Sequence, residues 1–142
     1  MLHREVEDEL LDYCAQNNIG VVAYSPMQRG LLTGNFSEER LADLPLDDHR
    51  RRSPDFHGPK FTATLELVEQ LRPIAERNGK TLAQLSISWV LRRPEVAAAI
   101  VGARRPQQIL ETAPASDWNL NKEDIEQIEQ LLAERQAKIN TK

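Results

Sequence analysis

IGVVAYSPMQRG, residues 19–30, decides how the fold is read. Ile19 to Tyr24 is apolar throughout and too short for a helix, which is the pattern of a strand buried on both faces. It leaves through Ser25-Pro26 and then carries Arg29 just before Gly30. A buried strand needs only a turn to exit; this exit is polar, rigid at Pro26 and permissive at Gly30. Ser25 offers a hydroxyl donor, and the backbone from Met27 to Gly30 could line a phosphate or a ring. The alternative is a plain turn with Arg29 in water.

A second segment repeats the signal. Ala97 to Val101 reads as a strand, and Gly102-Ala103-Arg104-Arg105-Pro106 leads into a short helix, Gln107 to Thr112. Pro106 suits a first helical position, and the N–H groups of that helix start, with Arg104 and Arg105, form a set that suits phosphate oxygens. The alternative is a strand-to-helix turn with solvated arginines. If the two strands are neighbours, both exits open at their carboxyl ends, where α/β ligands bind.

Around these strands the pattern is helical. Residues 5–17 read as a helix with Val6, Leu10, Leu11 and Cys14 on its apolar face. Residues 63–78 form a second, with Leu67, Val68, Leu71, Ile74 and Ala75 buried and Pro73 expected to bend it. Thr81 and Gln84 make a capping box for a third, along which Leu82, Leu85 and Trp89 share one side. Asn121 caps a fourth, from Lys122 to about Ala137, with Ile125, Ile128, Leu131 and Leu132 inward. Residues 37–59 hold a short helical piece and then proline and mixed charge without period, which predicts a long mobile loop. Strands separated by helices imply a parallel sheet with right-handed crossovers. Two parallel strands cannot cover themselves, so the chain reads as part of something larger.

Composition narrows the function. The chain has 142 residues and a net charge of -4, which argues against a general nucleic-acid binder. No apolar run is long enough to span a membrane, and MLHREVEDE is not a signal peptide. The single Cys14 fits packing in a reducing cytoplasm. His3, His49 and His57 have no metal-ligand spacing. The run His49-Arg50-Arg51-Arg52 reads as a solvated loop, or as a contact for an acidic partner or phosphate. Trp89 and Trp118 read as core anchors.

YSPMQRGLLTG (24–34), TLAQLSISWVLRRP (81–94) and AAAIVGARRPQQILE (97–111), in that order and spacing, closely resemble the aldo/keto reductase family. The resemblance covers almost the whole chain. It implies an α/β fold, the C-terminal part of a (β/α)8 TIM barrel with two parallel strands and mostly helices, over residues 1–142. It also implies NADP(H) as cofactor and a small carbonyl compound as substrate, reduced by hydride transfer. On this resemblance Tyr24 lies under the nicotinamide, and Ser25, Pro26, Met27, Gln28 and Arg29 run along the diphosphate. Gly102, Arg104, Gln108, Glu111 and Thr112 hold the adenosine and its 2′-phosphate, with Arg104 the charge partner. The loop 37–59 folds over the cofactor. Thr112 replaces the family's usual asparagine, and Met27-Gln28 its commoner Leu-Gly.

The family's catalytic Asp, Tyr, Lys and His precede anything in this sequence. The resemblance therefore supplies no catalytic residue, predicts an isolated chain inactive as a reductase, and marks Met1 as an internal methionine of a longer ancestor. The alternatives are a non-catalytic nucleotide-binding module, a module that pairs with itself or another chain through its sheet edge, and a degraded gene product.

Overall fold

The computed structural model describes residues 1–141. Helix α1 (Leu10–Gln16) leads into β1 (Val21–Tyr24), and β1 into a kinked 3-10 segment (Gln28–Thr33). Then come α2 (Glu38–Ala42), two 3-10 turns (His49–Arg52 and Pro54–Phe56), α3 (Gly58–Arg77) and α4 (Leu82–Leu91). Strand β2 (Val96–Ile100), α5 (Pro106–Thr112) and α6 (Lys122–Asn140) complete the order.

The strands pair in parallel, with Val22 opposite Ala98 and Tyr24 opposite Ile100. Both chains therefore leave the sheet at the same end. Helix α4 lies against β2 on one face. On the other face Val22, Tyr24 and Ile100 are 57%, 80% and 58% exposed. The expectation of strands buried on both sides is thus corrected. Among the described residues no further strand or helix covers that face, and neither outer edge of the sheet is paired.

The core sits behind the sheet. Leu67, Leu71 and Ile74 of α3, Leu85 and Trp89 of α4, and Ile128 of α6 pack around Leu32. Helix α3 runs through Pro73, which lies on its exposed face. Gly79, with a φ of 63°, then lets Lys80 N–H turn back to the Ala75 carbonyl at 2.9 Å and closes the helix. The Thr81–Gln84 capping box forms in both directions, at 3.2 and 2.9 Å. Asn121 caps α6 by accepting from Asp124 N–H at 2.7 Å. Cys14 is buried, as expected, and Trp118 only partly so.

Two further expectations change. The helix over 5–17 divides into a 3-10 turn (Glu5–Glu7) and α1, which leaves Val6 and Leu10 exposed and only Leu11 and Cys14 inside. The segment 37–59 is packed rather than a free loop. Phe56 is fully buried, edge-on to Phe36 at 5.0 Å, and Phe61 closes the cluster. These rings are supplied from before, within and after the segment, so no periodicity announces them. We call residues 35–57 the strap.

Candidate functional site

Each strand exit carries its own geometry. After Tyr24 the backbone turns through left-handed positions at Ser25, Gln28 and Arg29, with φ values of 54°, 47° and 56°. None is glycine, so the loop holds a conformation that side chains resist at about 1 kcal/mol or more each. Buried Pro26, Leu31 and Leu32 anchor it from below. Gln28 N–H donates to the Ser25 carbonyl at 2.9 Å, and the Thr33 hydroxyl donates to the Gly30 carbonyl at 2.7 Å.

At the second exit Gln108 organises the turn. Its Oε1 accepts from the N–H groups of Arg104 at 2.8 Å and Arg105 at 3.1 Å. These two peptide amides, which precede α5, are therefore taken within the turn. What Gln108 leaves available is its own amide NH2 group and the Arg104 guanidinium beside it. The Thr112 hydroxyl donates to the Gln108 carbonyl at 2.7 Å, so it is spent inside α5. Gln84 Nε2 donates to the Glu111 carbonyl at 2.7 Å and ties α5 to the start of α4.

The two exits and the strap enclose one cleft of about 630 Å³ at the carboxyl ends of the strands. Tyr24, Ser25, Pro26, Met27 and Arg29 line one wall, and Gly102, Arg104, Gln108, Glu111 and Thr112 line the other. Ala83 lies between them, and Asn35, Arg40 and Arg50 of the strap form the rim. Ten of the eleven residues expected from sequence thus meet in one place. Gln28 does not: its amide turns away from the cleft and donates to Asp55 at 2.7 Å.

The strap residues at the rim were missed by sequence reasoning. The run 49–52 was the available signal, and it was read as solvated or as a contact for an acidic group. In the structure Arg50 and Arg51 are employed. Arg50 pairs with Asp48 through two bonds of 2.9 and 2.6 Å and lies over Phe36. Those bonds hold the Asp48 carboxyl well below the usual carboxylate range. Arg51 donates to the Ala42 and Leu44 carbonyls at 2.9 and 2.6 Å.

The remaining cleft arginines stand differently. Arg29 donates to the Ser53 hydroxyl at 3.1 Å and Arg40 to the Asn35 carbonyl, while Arg104 extends outward. None of the three has a carboxylate partner among the described residues, although Arg4, Arg72, Arg77, Arg92 and Arg93 all do. Arg29 still feels the Asp55 carboxylate from beyond ion-pair distance. Guanidinium groups without a direct carboxylate partner, one carboxylate at Glu111 and the Gln108 amide suit an anionic, hydrogen-bonding molecule. Among the described residues no His, Cys, Asp and Glu cluster is arranged to hold a metal, and no helix is long and apolar enough to cross a membrane.

Known proteins resemble this chain in sequence and fold. The profile described as "Aldo/keto reductase family" matches residues 1–133. The aldo-keto reductase YhdN of Bacillus subtilis is 36% identical over 133 residues, covering 93% of this chain and 40% of the relative. An NADH-specific methylglyoxal reductase of Escherichia coli is 31% identical, over 87% of this chain and 37% of its own length. The aldo-keto reductase yakc [NADP(+)] of Schizosaccharomyces pombe is 34% identical, over 81% and 33%. Among solved structures, the glycerol dehydrogenase AKR11B4 from Gluconobacter oxydans superposes with a TM-score of 0.84 at 32% identity, over 94% of this chain and 40% of that one. The chain therefore spans about 40% of the length of the relatives it matches. Its fold is a corresponding part of a (β/α)8 barrel, whose inner face is the exposed face of the sheet.

Proposed function

The chain belongs to the aldo/keto reductase family, and from that premise we propose that its cleft is the NADP(H)-binding part of a carbonyl reductase. The observation that carries this reading is the union of both strand exits in one cleft with arginines that make no direct carboxylate pair. A dinucleotide has the length and the charge for it. Tyr24, exposed at the end of β1, offers a ring face to the nicotinamide. Ser25, Pro26, Met27 and Arg29 line the path of the diphosphate, and Gly102 leaves the opposite wall open. Glu111 and the amide of Gln108 suit the hydroxyl and amino groups of adenosine, and Arg104 suits a 2′-phosphate. Bound there, the nicotinamide would supply hydride chemistry; the chain's own residues hold and orient the molecule. Gln28 drops out of the binding set, and Thr112 contributes shape rather than a hydroxyl.

No residue of this sequence is put forward as the proton donor, so the 142-residue chain by itself is expected to bind without reducing a carbonyl compound. A second reading has its own observation, the bare sheet. Unpaired edges and an exposed Val22-Tyr24-Ile100 face suit further strands, from a copy of this chain or from the rest of a barrel. Buried, unpaired Cys14 fits a reducing cytoplasm.

Titration of the chain with NADPH and NADH, followed by nicotinamide fluorescence, tests the proposal. Saturable binding with NADPH preferred supports it. Preference for NADH would move the assignment to the unphosphorylated cofactor, and no binding of either would remove the cofactor reading. Carbonyl reduction by the same sample would overturn the prediction of inactivity.

A further inference from the structure

Gln28 is the cleft-loop residue whose side chain points elsewhere, and where it points carries information. Its Nε2 donates to Asp55 Oδ2 at 2.7 Å, and His3 Nε2 lies 3.3 Å from the same oxygen. Asp55 does not line the cleft. It precedes Phe56, which is fully buried against Phe36 and Phe61, so the carboxylate is mounted on the most fixed part of the strap. Burial alone would raise the Asp55 carboxyl, but the bonds from His3 and Gln28 outweigh it and hold it below the usual range, ionised at neutral pH.

Gln28 and Arg29 are consecutive left-handed residues, with φ of 47° and 56°. A glutamine does not choose that region; surrounding structure must impose it. Buried Pro26 precedes the pair, and Gly30 with core residues Leu31 and Leu32 follows, so the ends of the loop are anchored in the protein while the Gln28 and Arg29 side chains lie above it. Those side chains are held by the strap, through Gln28 to Asp55 and Arg29 to the Ser53 hydroxyl.

We infer that Asp55 is a positioning residue for the cleft: by clasping the Gln28 amide it keeps the Gln28–Arg29 backbone in the left-handed course that shapes one wall, and so sets nucleotide affinity without touching the nucleotide. The inference rests on the dinucleotide reading above and extends it to a residue outside the cleft. Its distinguishing consequence is conditional. The clasp matters because position 28 is strained; a glycine there adopts positive φ without cost and makes the clasp redundant.

The test is a mutant cycle on the full chain, read as NADPH dissociation constant by fluorescence. Asp55→Ala and Gln28→Ala each remove the clasp and leave the strain, and each should weaken binding about fivefold to tenfold. In a Gln28→Gly background, Asp55→Ala should cost nothing further. Equal losses from Asp55→Ala in both backgrounds would overturn the inference, since Asp55 would then act by another route; so would no loss in either. Gln28→Ala, a change in a surface loop, keeps the test alive should Asp55→Ala fail to fold. Hydrogen exchange of residues 25–30 in the nucleotide-free protein gives a second readout: faster exchange in Gln28→Ala than in Gln28→Gly is expected, and equal rates would overturn the inference. Failure of the unsubstituted chain to bind NADPH has its own signature. It removes the dinucleotide reading, and the inference with it.

Discussion

Arg104→Ala should separate NADPH from NADH. The Arg104 backbone is pinned by Gln108 Oε1 at 2.8 Å, so truncating the side chain leaves the turn in place. The guanidinium is exposed and has no carboxylate partner among the described residues, so no buried charge is orphaned. The loss is then the attraction itself. At about 4 Å in water-like surroundings a unit pair is worth about 1 kcal/mol, and a 2′-phosphate carries nearly two charges. Screening at physiological salt removes part of this, leaving about 1–1.5 kcal/mol, or roughly fivefold to tenfold in NADPH affinity. NADH lacks the phosphate and should lose almost nothing. Parallel fluorescence titrations of both nucleotides, at low and high salt, provide the assay. An equal loss for NADH and NADPH would show that Arg104 acts on something other than the 2′-phosphate, and no loss for either would remove it from the site.

Other expectations concern the frame. Burial would raise the Glu7 carboxyl, but bonds from Arg4 and Arg92 hold it below the usual range. Its stabilising effect is present above the unfolded value near 4.3 and is lost as pH falls through the folded value. The stability gap between the natural chain and Glu7→Gln in urea should therefore be full at pH 7 and close below about pH 4. Asp124 is buried and accepts from Arg77, from Asn78 at 3.0 Å and from Asn121 at 3.0 Å, joining the end of α3 to the start of α6. Asp124→Ala should cost about 3 kcal/mol, read as a lower urea midpoint at unchanged slope. At Gly34, φ is 75° and an added Cβ would lie 2.5 Å from Leu82 Cδ1. Gly34→Ala should cost about 1–3 kcal/mol in the same assay.

The strands and the cleft were legible because their signals are local. A short apolar run ending in Ser25-Pro26, and another ending in Gly102, mark parallel strand ends, and parallel strands put their exits together. The helix caps at Thr81 and Asn121 were legible for the same reason: donor and acceptor are three residues apart. The strap was not, because Phe36, Phe56 and Phe61 are separated by proline and charge and become a cluster only when the chain folds back. Nor does sequence announce left-handed residues that are not glycine. Ser25, Gln28 and Arg29 carry no mark of their φ, so the direction of the Gln28 side chain could not be foreseen. The strand burial failed for a physical reason as well: apolar composition records what the strands would pack against in a complete barrel, and these residues supply only one face of it.

The net charge of -4 understated what the chain can bind, because totals do not act on ligands; local surpluses do. Several of the acids are paired with arginines away from the cleft. Glu7 and Glu129 meet Arg4 and Arg92, Asp12 and Glu95 meet Arg93, Glu69 meets Arg72, and Asp124 meets Arg77. The Glu69–Arg72 and Asp124–Arg77 pairs are neutral at a distance, as are Glu7 and Glu129 with Arg4 and Arg92. At the cleft Arg50 is paired with Asp48 and Arg29 feels Asp55, while Arg29, Arg40 and Arg104 make no direct carboxylate pair among the described residues and Glu111 lines the wall. Charges farther off than a Debye length, about 8 Å at physiological salt, do little to offset them. An acidic chain can thus carry a local surplus of arginines at one cleft.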